Sequence, residues 1–253
     1  MKEKRWFFLA AFVVGIIVFI VLRSISVSKE FKEEAKLIRR SIYTHTYRSG
    51  DVLLFNGLGA RGTFGANLTR ALAGSTYTHI GMVYVHPETG RPYVWEMHLS
   101  GSRLMPLFAK MHNYRGHAAV RTLQPKISPE QQKRFDEFVR SRWGNAYSYA
   151  FIPHGYNRLF SFLPVPIATD TTKRQSAYYC CDLVADTLRY IGVLDFQPHD
   201  NADNPSALTP RDFTVRRQNL PLHSKFTYGP EIRLEVPKEM VAPSLPTTIQ
   251  NQS

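Results

Sequence analysis

The chain has 253 residues with a formal net charge of +12, enough for one domain of ordinary size plus appendages. Its basic residues are spread along the sequence with no nucleic-acid motif beside them, so no nucleic-acid partner is expected. An anionic membrane surface is the simpler partner, and a merely basic soluble surface explains the charge equally well.

From the start, Trp6 to Leu22 is an uncharged apolar run of 17 residues flanked by Lys2, Lys4, Arg5 and Arg23. That length sits at the lower limit for a membrane-spanning helix. It is long for the apolar core of a cleaved signal peptide, and the serines that follow make a poor cleavage site. Residues 1–27 are therefore expected to be an N-terminal anchor with a transmembrane helix over about 6–22, making a single-pass membrane protein. The basic residues on the two sides of the span give opposing orientation signals, which leaves the side of the catalytic domain open. Residues 28–47, charged with sparse apolar positions, read as a helical stalk. The folded body is expected over 48–234, and the Pro-, Ser-, Thr- and Gln-rich segment 235–253 as a disordered tail.

Within the body, Asp51 to Phe55 reads as a strand that runs into Gly57, Gly59 and Gly62, the G-x-G-x-x-G spacing of dinucleotide-binding loops. A nucleotide site also requires a parallel strand to follow. Here "THIGMVYV", "HPETGRP" and "YVWEMHL" follow instead, and they read as an antiparallel hairpin. No cofactor is expected. Next, "SPEQQKRFDEFVRSRWG" is marked as a helix by Ser128, Pro129 and Gln131 at its start and Gly144 at its end, with Phe135, Phe138, Val139 and Trp143 as its buried stripe. The aromatic stretch from Ala146 to Gln175 has no clean period and reads as either an irregular insertion or a flap. "CCDLVADTLRYIG" then forms a helix with Leu183, Val184, Thr187, Leu188 and Ile191 on one face.

The only cysteines, Cys180 and Cys181, are neighbours. Adjacent Cα atoms about 3.8 Å apart are too close for an unstrained disulfide. Cys180 opens a helix, where the dipole and free N–H groups stabilise a thiolate and a developing oxyanion. It also falls in the apolar stripe of that helix, so position alone allows a buried structural thiol as well. His79 lies at the mouth of an all-apolar strand. If the hairpin turns near Glu88 and Thr89, Gly81 faces Glu96, and Glu96 then reaches His79 diagonally across one sheet face. Slipping the register by one residue would move Glu96 to the other face. In the favourable register His98 lies opposite His79 and is the reserve candidate. No paired His or Cys spacing supports a metal site.

The blocks "GDVLLF", "THIGMVY", "VWEMH", "GNAYSY", "YYCCDLVADTLRYIGV" and "LTPRDF" occur in that order between about Gly50 and Val215. Together they resemble the circularly permuted NlpC-type papain-like cysteine hydrolases, especially the YiiX-like group and its poxvirus relatives. The resemblance implies an α+β, permuted papain-like fold, a small antiparallel sheet packed on helices. It also implies a Cys-His-Glu triad in which Cys180 is the nucleophile, His79 the base and Glu96 the residue that orients the base. The family pattern resembles Tyr-Cys-Ser-Glu-Leu-Val, which lays Cys181 on its Ser and Asp182 on its Glu. The second cysteine and the aromatic insertion are departures from it. The expected function is a membrane-anchored cysteine hydrolase, amidase- or peptidase-like, cleaving an amide or ester bond. Its substrate would be a membrane lipid, a lipid-linked molecule or a peptide. A thiol acyltransferase of the same class and a catalytically idle membrane-tethered binding module are the alternatives.

Overall fold

The computed structural model describes residues 36–57, 75–114, 116–147, 177–195, 208–215 and 220–237. The main sheet is built from β1 (Ile38–Ser41), β2 (Val52–Asn56), β3 (His79–Val85), β4 (Pro92–His98), β5 (Gly101–Pro106), β6 (His117–Arg121) and β11 (Ile232–Glu235). Two short ladders stand apart from it: β7 (Leu123–Gln124) with β10 (Thr227–Tyr228), and β8 (Ala146–Tyr147) with β9 (Ala177–Tyr178). The seven strands run in the order β1–β11–β6–β2–β3–β4–β5. Every neighbouring pair in that sheet is antiparallel except β1 with β11. The fold is α+β, as expected, with a sheet wider than the small one anticipated.

Both faces of the central strands are covered, which is why Val52–Phe55 of β2 and Ile80–Val85 of β3 are apolar throughout. On one face Val52, Leu54, Ile80, Met82, Trp95 and Met97 pack against two helices, α2 (Pro129–Arg142) and α3 (Cys180–Tyr190). Across the sheet, Leu53, Phe55, Val83 and Val94 meet Leu107 and Met111 of the short helix α1 (Leu107–Asn113). Helix α2 begins where the sequence places it. Ser128 accepts from the Gln131 backbone N–H, the Gln131 side chain answers to the Ser128 N–H, and Pro129 occupies the first turn. Helix α3 buries Leu183, Val184, Thr187, Leu188 and Ile191 as predicted and is followed by Gly192 at φ +71°. The Trp95 indole N–H donates to the Thr187 hydroxyl at 3.1 Å, a buried bond that pins α3 to β4.

Two expectations change. Ile38–Ser41, read as part of a helical stalk, is an edge strand paired with β11, so the sheet begins before residue 48 and extends to Glu235. Its residues are mostly exposed and two of the four are charged, a composition that suits a sheet edge as well as a solvated helix. Trp143 is 57% exposed rather than buried, because it is the C-cap of α2 and the chain turns away there into Gly144 at φ +76°. Strand β2, which carries Gly57 at its end, has antiparallel neighbours on both sides, so the βαβ arrangement that a dinucleotide loop needs is not built on it. Gly59, Gly62, the predicted span 6–22 and most of the aromatic insertion lie outside the described residues. Among the described residues no helix is long and apolar enough to cross a membrane.

Candidate active site

The β3–β4 hairpin turns between Val85 and Pro92, with Gly90 at φ +65°, and pairs Gly81 with Glu96. This is the register that places Glu96 diagonally across from His79 on one face. His79 Nε2 and Glu96 Oε2 are 2.9 Å apart. The imidazole has two nitrogens, so this contact leaves Nδ1 to serve a second partner. Cys180 lies close enough to His79 for its thiol to favour the charged imidazole. The thiol arrives from the helix packed on the other face of the sheet, and His79 can meet both groups because it is the first residue of its strand. The three sequence-predicted residues therefore converge.

Their electrostatics follow from what surrounds each of them. Glu96 is fully buried, and burial alone would raise its pKa. The His79 imidazole and the Lys110 ammonium instead hold its carboxyl below the usual carboxylate range. Burial opposes a charge on His79, but Cys180 and then Glu96 outweigh it and push the imidazole up to about 9. The Cys180 thiol is drawn well below the ordinary thiol range. Its neighbour Cys181 contributes most, with Sγ atoms 4.0 Å apart, followed by His79 and the Ile80 backbone N–H, all against the cost of burial. Cys181 moves the other way. Fully buried, it is pushed well above the ordinary range by burial and by Cys180. The two thiols are free, and it is the thiolate form of a thiol that acts as nucleophile.

Cys180 is buried, with 8% of its surface exposed. It is the first residue of α3, whose cap is extended Tyr179, and the first intrahelical amide bond runs from Leu183 to the Tyr179 carbonyl. The Cys180 and Cys181 N–H groups precede it and so have no acceptor within the helix. Donors in that position are suited to an anionic oxygen.

No family model matches the chain, and no curated protein matches it. Among solved structures it is similar to YiiX, a metalloprotein of Escherichia coli O157:H7, at 18% identity and a TM-score of 0.46, over 76% of this chain and 100% of that one.

Two residues that the sequence reading passed over complete the site. Arg103 of β5 stands directly opposite Glu96 and donates to Oε1 from Nε at 3.2 Å and from Nη2 at 2.9 Å. Lys110 of α1 reaches both oxygens, Oε1 at 3.0 Å and Oε2 at 2.7 Å. Its ammonium also lies 5.2 Å from the centre of the Phe55 ring. The signal for Arg103 was present in the sequence: a tight turn at "HLSG" pairs 98 with 101 and hence 96 with 103. Lys110 carried none, because it arrives from a helix too short to show a period. His98, the reserve candidate, pairs its Nδ1 with the Ser100 hydroxyl at 2.8 Å, and burial followed by Arg103 lowers its pKa. The Glu96 carboxylate, ringed by three nitrogen cations, is not arranged to bind a metal ion.

Proposed function

We propose that this protein is a cysteine hydrolase of the permuted papain-like class acting on an amide or ester carbonyl. The observation that carries the reading is the hydrogen bond from buried Glu96 to His79, with the Cys180 thiol at the start of α3 near enough to act on the charge of the imidazole. In the resting state the thiol proton resides on His79, giving a thiolate–imidazolium pair. Cys180 Sγ attacks the carbonyl carbon, and the C–O π electrons move to an oxygen cradled by the Cys180 and Cys181 N–H groups. As the tetrahedral adduct collapses, the imidazolium gives its proton to the departing amine or alcohol, leaving a thioester on Cys180. Neutral His79 then takes a proton from water as the water oxygen attacks the thioester, and the thiolate departs. An amine or alcohol in place of water would make the same site an acyltransferase. Glu96 keeps the imidazole in place and stabilises its charge throughout.

The substrate class we propose is a lipid or lipid-linked acyl compound, reached through anchoring by residues 6–22. The apolar run there and the basic charge of the chain support this reading. The deciding experiment exposes the protein to a thiol-reactive acyl probe and maps the adduct by mass spectrometry. Labelling at Cys180, lost in Cys180→Ala and in His79→Ala but retained in Cys181→Ser, is the expected result. Adducts at Cys181, or turnover that survives both single cysteine changes, would overturn the proposal.

A further inference from the structure

We propose that Arg103 and Lys110 are positioning residues that weaken the hold of His79 on its proton by competing with the imidazolium for the single carboxylate of Glu96. The inference deepens the hydrolase reading, since it concerns the same site.

Charge balance motivates it. One carboxylate needs one counter-ion, and Glu96 has three: His79 and Lys110 share Oε2 at 2.9 and 2.7 Å, while Arg103 and Lys110 share Oε1. Withdrawing two further cations from water is costly and is not needed to neutralise the acid. Lys110 is only 14% exposed and Arg103 28%, against none for Glu96. Among the described residues, Glu96 of β4 bonds His79 Nε2, Cys180 of α3 acts on the imidazole's charge, His98 of β4 is within electrostatic reach, and Lys110 of α1 and Arg103 of β5 are linked to the imidazole through the Glu96 carboxylate. Phe55 on β2 adds an uncharged ring at 5.6 Å. Glu96 and a Cys180 thiolate favour the imidazolium, whereas Lys110 and Arg103 disfavour it. Lys110 acts more strongly because it shares an oxygen with the imidazole.

The chemical consequence lies in the step that expels the leaving group. An imidazolium paired with an unopposed buried carboxylate is a poor acid. With two cations drawing on the same carboxylate, it releases its proton more readily to the departing amine or alcohol.

The test is the titration of His79 followed by NMR in the full-length protein with isotopically labelled histidine. Lys110→Met should raise the His79 midpoint by about one unit, and Arg103→Gln should raise it by less, since a neighbouring charge is worth one to three units. Lys110→Arg and Arg103→Lys, which keep the charge, should leave the midpoint in place. If the two cations serve only to hold Glu96 in position, their loss lets the carboxylate swing away and the midpoint falls or does not move, which would overturn the inference. Near-ultraviolet circular dichroism, which reports the packing of Trp95, establishes that each variant is folded, and Arg103→Gln decides the matter if Lys110→Met is not. Probe labelling of Cys180 is a separate readout: a site that never labels, yet whose His79 midpoint rises, would refute the hydrolase reading and leave this one standing.

Discussion

Gly81 and Glu96 stand opposite each other across the β3–β4 ladder, and the missing side chain of the first lets the strand that carries the second pack close against it. A Cβ on Gly81 would lie 2.7 Å from Val94 Cγ1, 3.2 Å from the Trp95 carbonyl oxygen and 3.5 Å from the Glu96 Cβ. The carbonyl belongs to the ladder and has little freedom to shift. Gly81→Ala should therefore lower unfolding free energy by about 1–3 kcal/mol, the usual cost of overpacking, and slow labelling of Cys180 by disturbing the Glu96–His79 contact. Urea denaturation and labelling kinetics measure the two effects, and an unchanged urea midpoint would contradict the first.

Glu96→Gln keeps the shape of the side chain and removes its charge. Lys110 and Arg103 would be left around a neutral amide, so stability as well as activity should suffer, by about 3 kcal/mol. Loss of imidazolium stabilisation should slow the acylation step by about 10²-fold. Parallel denaturation and single-turnover measurements separate the two, and a variant as stable as the parent would show that the cations do not depend on the carboxylate.

Activity should also depend on pH in a way that a free thiol does not. The reactive pair needs a thiolate and an imidazolium. The rate should fall in acid only below the ordinary thiol range, where Cys180 takes up its proton, and fall again in base as His79 is deprotonated at about 9. An ordinary thiol, with a pKa of about 8.5, would instead react faster up to about pH 10. A labelling rate that climbs steadily through that window would exclude the pair. Stability follows the same groups. The Glu96 contribution is present above its unfolded value of about 4.3 and is lost as acid drives the pH down through the folded value. The His79 contribution is full below about 6.5 and is lost as the pH rises through about 9.

The proposed anchor is testable without touching the sheet. A chain beginning at Ser28 keeps β1 (Ile38–Ser41) intact and should partition to the soluble fraction, whereas the full chain should resist salt and carbonate extraction. If the shortened chain is still held by membranes after carbonate treatment, the apolar run at 6–22 is not what attaches it.

The part of the site carried by local pattern was legible in the sequence. Seven residues of "HIGMVYV" and seven of "PYVWEMH" joined by a short turn admit few registers, and the observed one pairs Gly81 with Glu96 as inferred. Helix α3, with its apolar face starting at Cys180, was equally plain. What escaped depends on contacts between distant segments. Ile38–Ser41 has no periodicity of its own and becomes a strand only because Ile232–Glu235 lies beside it, almost two hundred residues later. Lys110 resembles any lysine on a half-exposed helix until the fold lays α1 over Phe55 and Glu96. The burial expected for Trp143 failed because a helical stripe does not reveal where the helix leaves the core.

The parallel pairing of β1 with β11 has a mechanical consequence. Tension applied through the segments before Ile38 and after Glu235 pulls β1 by its start and β11 by its end, sliding the two strands past each other. The pairs Ile38–Ile232, Arg39–Arg233, Arg40–Leu234 and Ser41–Glu235 then share the load together, in shear, instead of opening in turn like a zipper. Force applied to the two ends would thus meet an edge whose four pairs share the load, and single-molecule pulling from the two ends should find one cooperative rupture.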